Sequence, residues 1–146
     1  MKRKWIVMLI IALSFVVAGI VTVSVVKDYK EPLPVYYSYF WQQGGYTNVT
    51  SYYFFYQRDG KYFVTVNGEE TYKLSRYQYK KSIPTIEELD EIYNAKSESG
   101  LGCGTTRYTV SIRYHGEKEI SYDFGSNPKA GDLYTKFAEV LAIARH

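Results

Sequence analysis

Cysteine and histidine are nearly missing from this 146-residue chain, which has one Cys, Cys103, and two imidazoles, His115 and His146. A lone cysteine cannot close an internal disulfide, so any folded domain must be held by its core. No two Cys or His residues have ligand spacing, so no metal site is expected and neither histidine is assigned as a ligand. His115 continues the polar side of a predicted strand and is read as solvated. Excess charge is also confined to one place. The net charge of +3 resides in Lys2, Arg3 and Lys4, beyond which fifteen basic residues face fifteen acidic ones. Without a concentrated basic footprint, nucleic acid is excluded as a partner. The group Lys73, Arg76, Lys80 and Lys81 is read as a solvated edge. No internal repeat, low-complexity segment or cofactor fingerprint is present, and no cofactor is expected.

Two things are abundant. The first is an uncharged apolar stretch, Trp5–Val26 (WIVMLIIALSFVVAGIVTVSVV), whose polar members are Ser14, Thr22 and Ser24. As a helix it would extend about 33 Å, enough for a hydrocarbon core of about 30 Å. The hydroxyls can turn back onto helix carbonyls, and backbone polar groups in lipid demand a helix. The basic cluster before the stretch places the N-terminus in the cytoplasm and the remainder outside it. The expectation is an uncleaved, single-pass signal anchor in the cell membrane. Cleavage after Val16-Val17-Ala18 would instead give a secreted domain.

The second is tyrosine, with seventeen copies. Tyr favours half-buried strands and also recognition surfaces, because it joins an apolar ring to a wet hydroxyl. Strand formation and core filling is the primary reading. The organisation expected is a cytoplasmic N-terminus (1–4), a transmembrane helix (5–26), a tether (27–45) and an extracytoplasmic α+β domain (46–146). Within the tether, VYYSYFW (35–41) is left open between a first strand and a stretch lying on lipid headgroups.

Strands are predicted from Thr47 to Gln57, from Lys61 to Val66, and from about Glu69 to Leu74, the last with a possible extension toward Tyr79. Arg58-Asp59-Gly60 and Asn67-Gly68 make the turns. Thr85 and Glu88 match a capping box opening a helix to about Ala95. Ile86, Leu89, Ile92 and Tyr93 form its apolar face. A hairpin follows, with Tyr108, Val110, Ile112 and Tyr114 alternating against polar neighbours, then Ile120, Tyr122 and Phe124. Asn127-Pro128 opens a final helix with Leu133, Phe137, Val140, Leu141 and Ala144 as its stripe. The fold class is therefore α+β, an antiparallel sheet of about five strands (meander plus hairpin) with two amphipathic helices packed on one face.

Candidate chemistry is sparse. Cys103 sits in the glycine-bracketed loop GLGCGTT (100–106), where a thiol could be exposed. A nucleophilic thiolate needs a base nearby, and His115 lies almost 40 Å away along an extended chain unless the loop folds back. The same loop has no Lys and precedes a strand, so it is not a phosphate cradle. The acids at 87–91 are accounted for by a solvated helix face. Asn48-Val49-Thr50 fits the N-glycosylation pattern, a short pattern that chance also produces. The expected role is a membrane-anchored binding or structural module, contacting protein or glycan through aromatic surface. A cell-envelope thiol enzyme or hydrolase using Cys103 is the alternative, and an accessory subunit of a larger membrane complex is a third.

Overall fold

Residues 2–44, 49–95 and 106–145 are described by the computed structural model. The chain divides into two units, Met1–Pro32 and Leu33–His146. The first unit contains one helix, α1 (Lys2–Lys30). As the sequence suggests, Ser14 Oγ donates to Ile10 O at 2.9 Å and Thr22 Oγ1 to Ala18 O at 2.8 Å. Neither hydroxyl therefore interrupts the helix. Among the described residues no helix is long and apolar enough to cross a membrane. The structure thus gives the transmembrane reading no support.

The second unit is α+β. Its strands are β1 (Tyr36–Gln43), β2 (Val49–Arg58), β3 (Lys61–Val66), β4 (Glu70–Leu74), β5 (Thr106–Arg113) and β6 (Ile120–Gly125). They form one antiparallel sheet in the order β4-β3-β2-β1-β5-β6. Two turns fix the meander. Asp59-Gly60 and Asn67-Gly68 all have positive φ (51°, 69°, 53° and 75°), as two-residue hairpins of matching twist require.

Sequence and structure differ at two elements. Six strands are described instead of about five, because the segment left open between a strand and a headgroup-lying stretch makes β1, the strand joining the meander to the hairpin. Three helices are described in this unit instead of two: α2 (Arg76–Ser82), α3 (Ile86–Asn94) and α4 (Pro128–Ala144). The extra helix occupies residues to which the third predicted strand was extended. Ser75 Oγ accepts from Gln78 N and the Gln78 side chain accepts from Ser75 N, a capping box that stops the strand at Leu74. The predicted box of Thr85 and Glu88 caps α3 in the same way, and Asn127 caps α4 with Pro128 at its start.

The helices share one face of the sheet. Tyr37, Tyr39, Tyr53, Phe55, Val64, Val110, Ile112 and Phe124 point into a core closed by Tyr79 of α2, Leu89 of α3, and Leu133, Phe137 and Val140 of α4. Tyr79 also ties down the start of this unit. Its hydroxyl donates to Pro34 O at 3.0 Å, and Gln57 Nε2 donates to the same carbonyl at 2.7 Å.

Candidate functional site

Strand alternation places Tyr39 and Trp41 of β1, Ser51 and Tyr53 of β2, and Tyr108 of β5 on the helical face. Near one end of these strands the sheet meets the first two turns of α4. There a cleft of about 340 Å³ opens, lined by Tyr39, Trp41, Ser51, Tyr53, Tyr108, Gly131 and Tyr134. None of these lining residues carries a formal charge.

The rings are fixed by one another. Phe137 lies beneath the cleft, with centroids 5.4 Å from Tyr39, 4.9 Å from Tyr53 and 5.2 Å from Tyr134. Tyr39 stands 6.3 Å from Tyr108, and Tyr53 stands 5.6 Å from Tyr134. Such tilted and edge-on pairs hold their geometry without bound ligand. The Tyr39 hydroxyl donates to Ala130 O at 3.2 Å, anchoring the floor to α4. Burial, with neighbouring Tyr108 and Tyr53 adding to it, pushes the Tyr39 hydroxyl well above its ordinary range. Tyr53 is raised by burial and by Tyr134. Both hydroxyls therefore stay protonated and neutral across physiological pH.

Gly131 of α4 stands against Tyr108 in the cleft wall. A Cβ at this position would lie 3.0 Å from Tyr108 Oη and 3.3 Å from Cζ. A glycine inside a helix costs about 1 kcal/mol relative to alanine. Here that cost allows the Tyr108 ring to approach the α4 backbone.

A second cleft of about 400 Å³ lies between α3 and α4 and is lined partly by Glu88, Glu91, Lys129 and Lys136. Its central charges answer each other, with Lys136 Nζ 2.5 Å from Glu88 Oε1. Burial raises the Glu88 carboxyl, but the hydrogen bonds from Lys136 and Thr85 outweigh it and hold the carboxyl below its ordinary value. This arrangement is accounted for by helix capping and pairing.

Of the residues singled out from sequence, Glu88 and Glu91 of the acidic run line the second cleft. Cys103, Asn48 and His146 lie outside the described residues. His115 is exposed in the turn between β5 and β6. Among the described residues, no group of three or more His, Cys, Asp and Glu could hold a metal. Of the predicted edge cluster, Lys81 pairs with Glu139 at 3.3 Å, and Arg76 donates to the Tyr62 hydroxyl at 3.1 Å. Asp90, in the predicted solvated acid run, accepts from the Tyr122 hydroxyl at 2.8 Å. Sequence reasoning missed the cleft, since its seven residues come from four elements. The one local signal was Gly131, a glycine inside an amphipathic helix. The chain matches no protein-family model and no curated protein sequence.

Proposed function

We propose that this chain is a membrane-held recognition module that binds a neutral, ring-bearing group in the cleft between β1, β2, β5 and α4. The supporting observation is the lining of that cleft: five Tyr or Trp side chains, one Ser, one Gly and no charge. Uncharged aromatic walls favour the apolar face of a sugar or an aromatic or proline side chain of a peptide, and disfavour phosphate or carboxylate. The lining also carries polar groups that could orient a ligand, the Trp41 N–H and the Tyr108 and Ser51 hydroxyls. Rings already fixed by Phe137 lose little freedom on binding.

The membrane half of the reading rests on the sequence. Trp5–Val26 is uncharged, and Lys2, Arg3 and Lys4 precede it. An insertion of this kind puts Leu33–His146 on the extracytoplasmic side. Alkaline washing of membranes should leave the full chain in the pellet, and protease added from the cytoplasmic side should spare residues 33–146. Release of the intact chain into the supernatant would defeat this half of the proposal.

The binding half is tested by probing glycan and peptide arrays with the full chain and with Trp41→Ala. Retention of a subset of sugars or peptides by the native chain, reduced at least about tenfold by the substitution, is the expected result. Equal retention by both proteins would reject the cleft as the binding site.

A further inference from the structure

The face of the sheet turned away from the helices also carries aromatic residues, gathered on β1, β2 and β3. Tyr36 and Phe40 of β1, Tyr52, Phe54 and Tyr56 of β2, and Phe63 of β3 alternate with the core residues and are partly exposed. Their rings form a continuous series: Tyr52 to Phe54 6.2 Å, Phe54 to Tyr56 5.5 Å and Tyr56 to Phe63 5.4 Å, all stacked. Tyr36 joins it at 5.6 Å from Phe54. An outer sheet face exposed to water normally carries polar side chains. Contiguous apolar surface of this kind marks an interface.

We infer that this face packs against the same face of a second copy of the chain, about a two-fold axis parallel to the strands. The arrangement of residues on the face is self-complementary under that operation. The sheet has six strands with its midline between β1 and β2, so the axis sets β2 over the other copy's β1, β3 over β5, and β4 over β6. Rows of paired residues then meet as follows. In the row of Tyr36, Tyr56 lies over Tyr36, Phe63 over Arg113, and Lys73 over Glu119, which immediately precedes β6. In the next row, bulky Phe54 lies over small Ser38, and Thr65 over Ser111. In the third, Tyr52 lies over Phe40. Large meets small, ring meets ring or guanidinium, and ammonium meets carboxylate.

The area fits as well. Strands about 4.8 Å apart, with outward residues about 6.8 Å apart along them, give a face of about 700 Å². Two copies would bury about 1,400 Å² in total, within the range of stable specific interfaces. Arg113 already lies 4.8 Å over the Tyr36 ring, and the Tyr36 hydroxyl donates to Glu119, so the row beside the midline is ordered before association.

Sedimentation velocity on the full chain in a mild non-ionic detergent should give a dimer at micromolar concentration. Phe54→Lys, and separately the more exposed Tyr52→Lys, should raise the dissociation constant roughly a hundredfold while leaving the far-UV circular dichroism unchanged. Lys73→Glu should weaken the dimer roughly tenfold, and adding Glu119→Lys should restore it. A monomer at about 100 μM, a dimer indifferent to both lysine substitutions, or a charge exchange that fails to restore association would overturn the inference. Loss of vesicle binding by Phe54→Lys with the mass unchanged would assign the face to lipid and overturn it equally.

Discussion

Three tyrosines in the core of the second unit illustrate how one residue type does different work. Tyr39 and Tyr79 are almost wholly buried and donate to Ala130 O and Pro34 O. Tyr37 is fully buried too, yet among the described residues its hydroxyl is the buried side-chain polar atom with no hydrogen-bond partner. Burial, with smaller contributions from Tyr39 and Glu88, pushes that hydroxyl well above its usual range. An unpaired buried hydroxyl costs about 1–3 kcal/mol, whereas a satisfied one contributes about 1 kcal/mol. Tyr37→Phe is therefore expected to raise the thermal midpoint, by roughly 4 °C per kcal/mol gained. Tyr39→Phe should lower it. Differential scanning calorimetry of the two variants decides the matter, and equal losses in both would contradict this reading of Tyr37.

At the scale of elements, much of the fold is legible in the sequence and the exceptions have physical causes. The hairpins at Asp59-Gly60 and Asn67-Gly68, the Thr85 box and the Asn127-Pro128 start are local devices, readable from a few adjacent residues. β1 was ambiguous because both of its faces are aromatic: Tyr37, Tyr39 and Trp41 point inward, Tyr36 and Phe40 outward. Period two disappears when both phases are apolar. α2 was hidden because RYQYKKS has no clear apolar stripe, although Ser75 and Gln78 spell its cap. The cleft could not be read at all, since no local pattern says which tyrosines from β1, β2, β5 and α4 meet. Ser75→Ala should cost about 1 kcal/mol by removing the cap, measured by urea unfolding. A loss near zero would mean that Tyr79 alone places α2.

The Lys136–Glu88 pair joins α4 to α3 and gives an expected acid response. Because the native carboxyl titrates below its ordinary value, its contribution is present above the unfolded-state value and is lost as pH falls through the native one. Thermal midpoints followed from pH 7 to pH 3 should decline in this region. Glu88→Gln, which keeps the cap to Thr85, should flatten part of that decline. An identical profile in the variant would remove Glu88 from the acid response.

For the whole molecule, the second unit carries two aromatic surfaces of opposite character on the two faces of one sheet. One is a concave cleft walled by rings that Phe137 holds in place, suited to a small neutral group. The other is a series of stacked rings spread over β1, β2 and β3 on the opposite face. Strand alternation makes this division possible, since β1 and β2 supply aromatic residues in both phases. Three of the tyrosines, Tyr36, Tyr52 and Tyr56, stand on the outer face, where core filling does not account for them. Gly131 separates recognition from folding most cleanly. Alanine there gains about 1 kcal/mol in helix propensity, which offsets the displacement of the partly exposed Tyr108 ring, so the fold should persist while the cleft narrows. The decisive measurement is isothermal titration of the sugar or peptide recovered from the arrays into native and Gly131→Ala chains of equal thermal stability. Affinity reduced at least about tenfold in the variant is the expected result, and unchanged affinity would contradict the assignment of the cleft as the binding site.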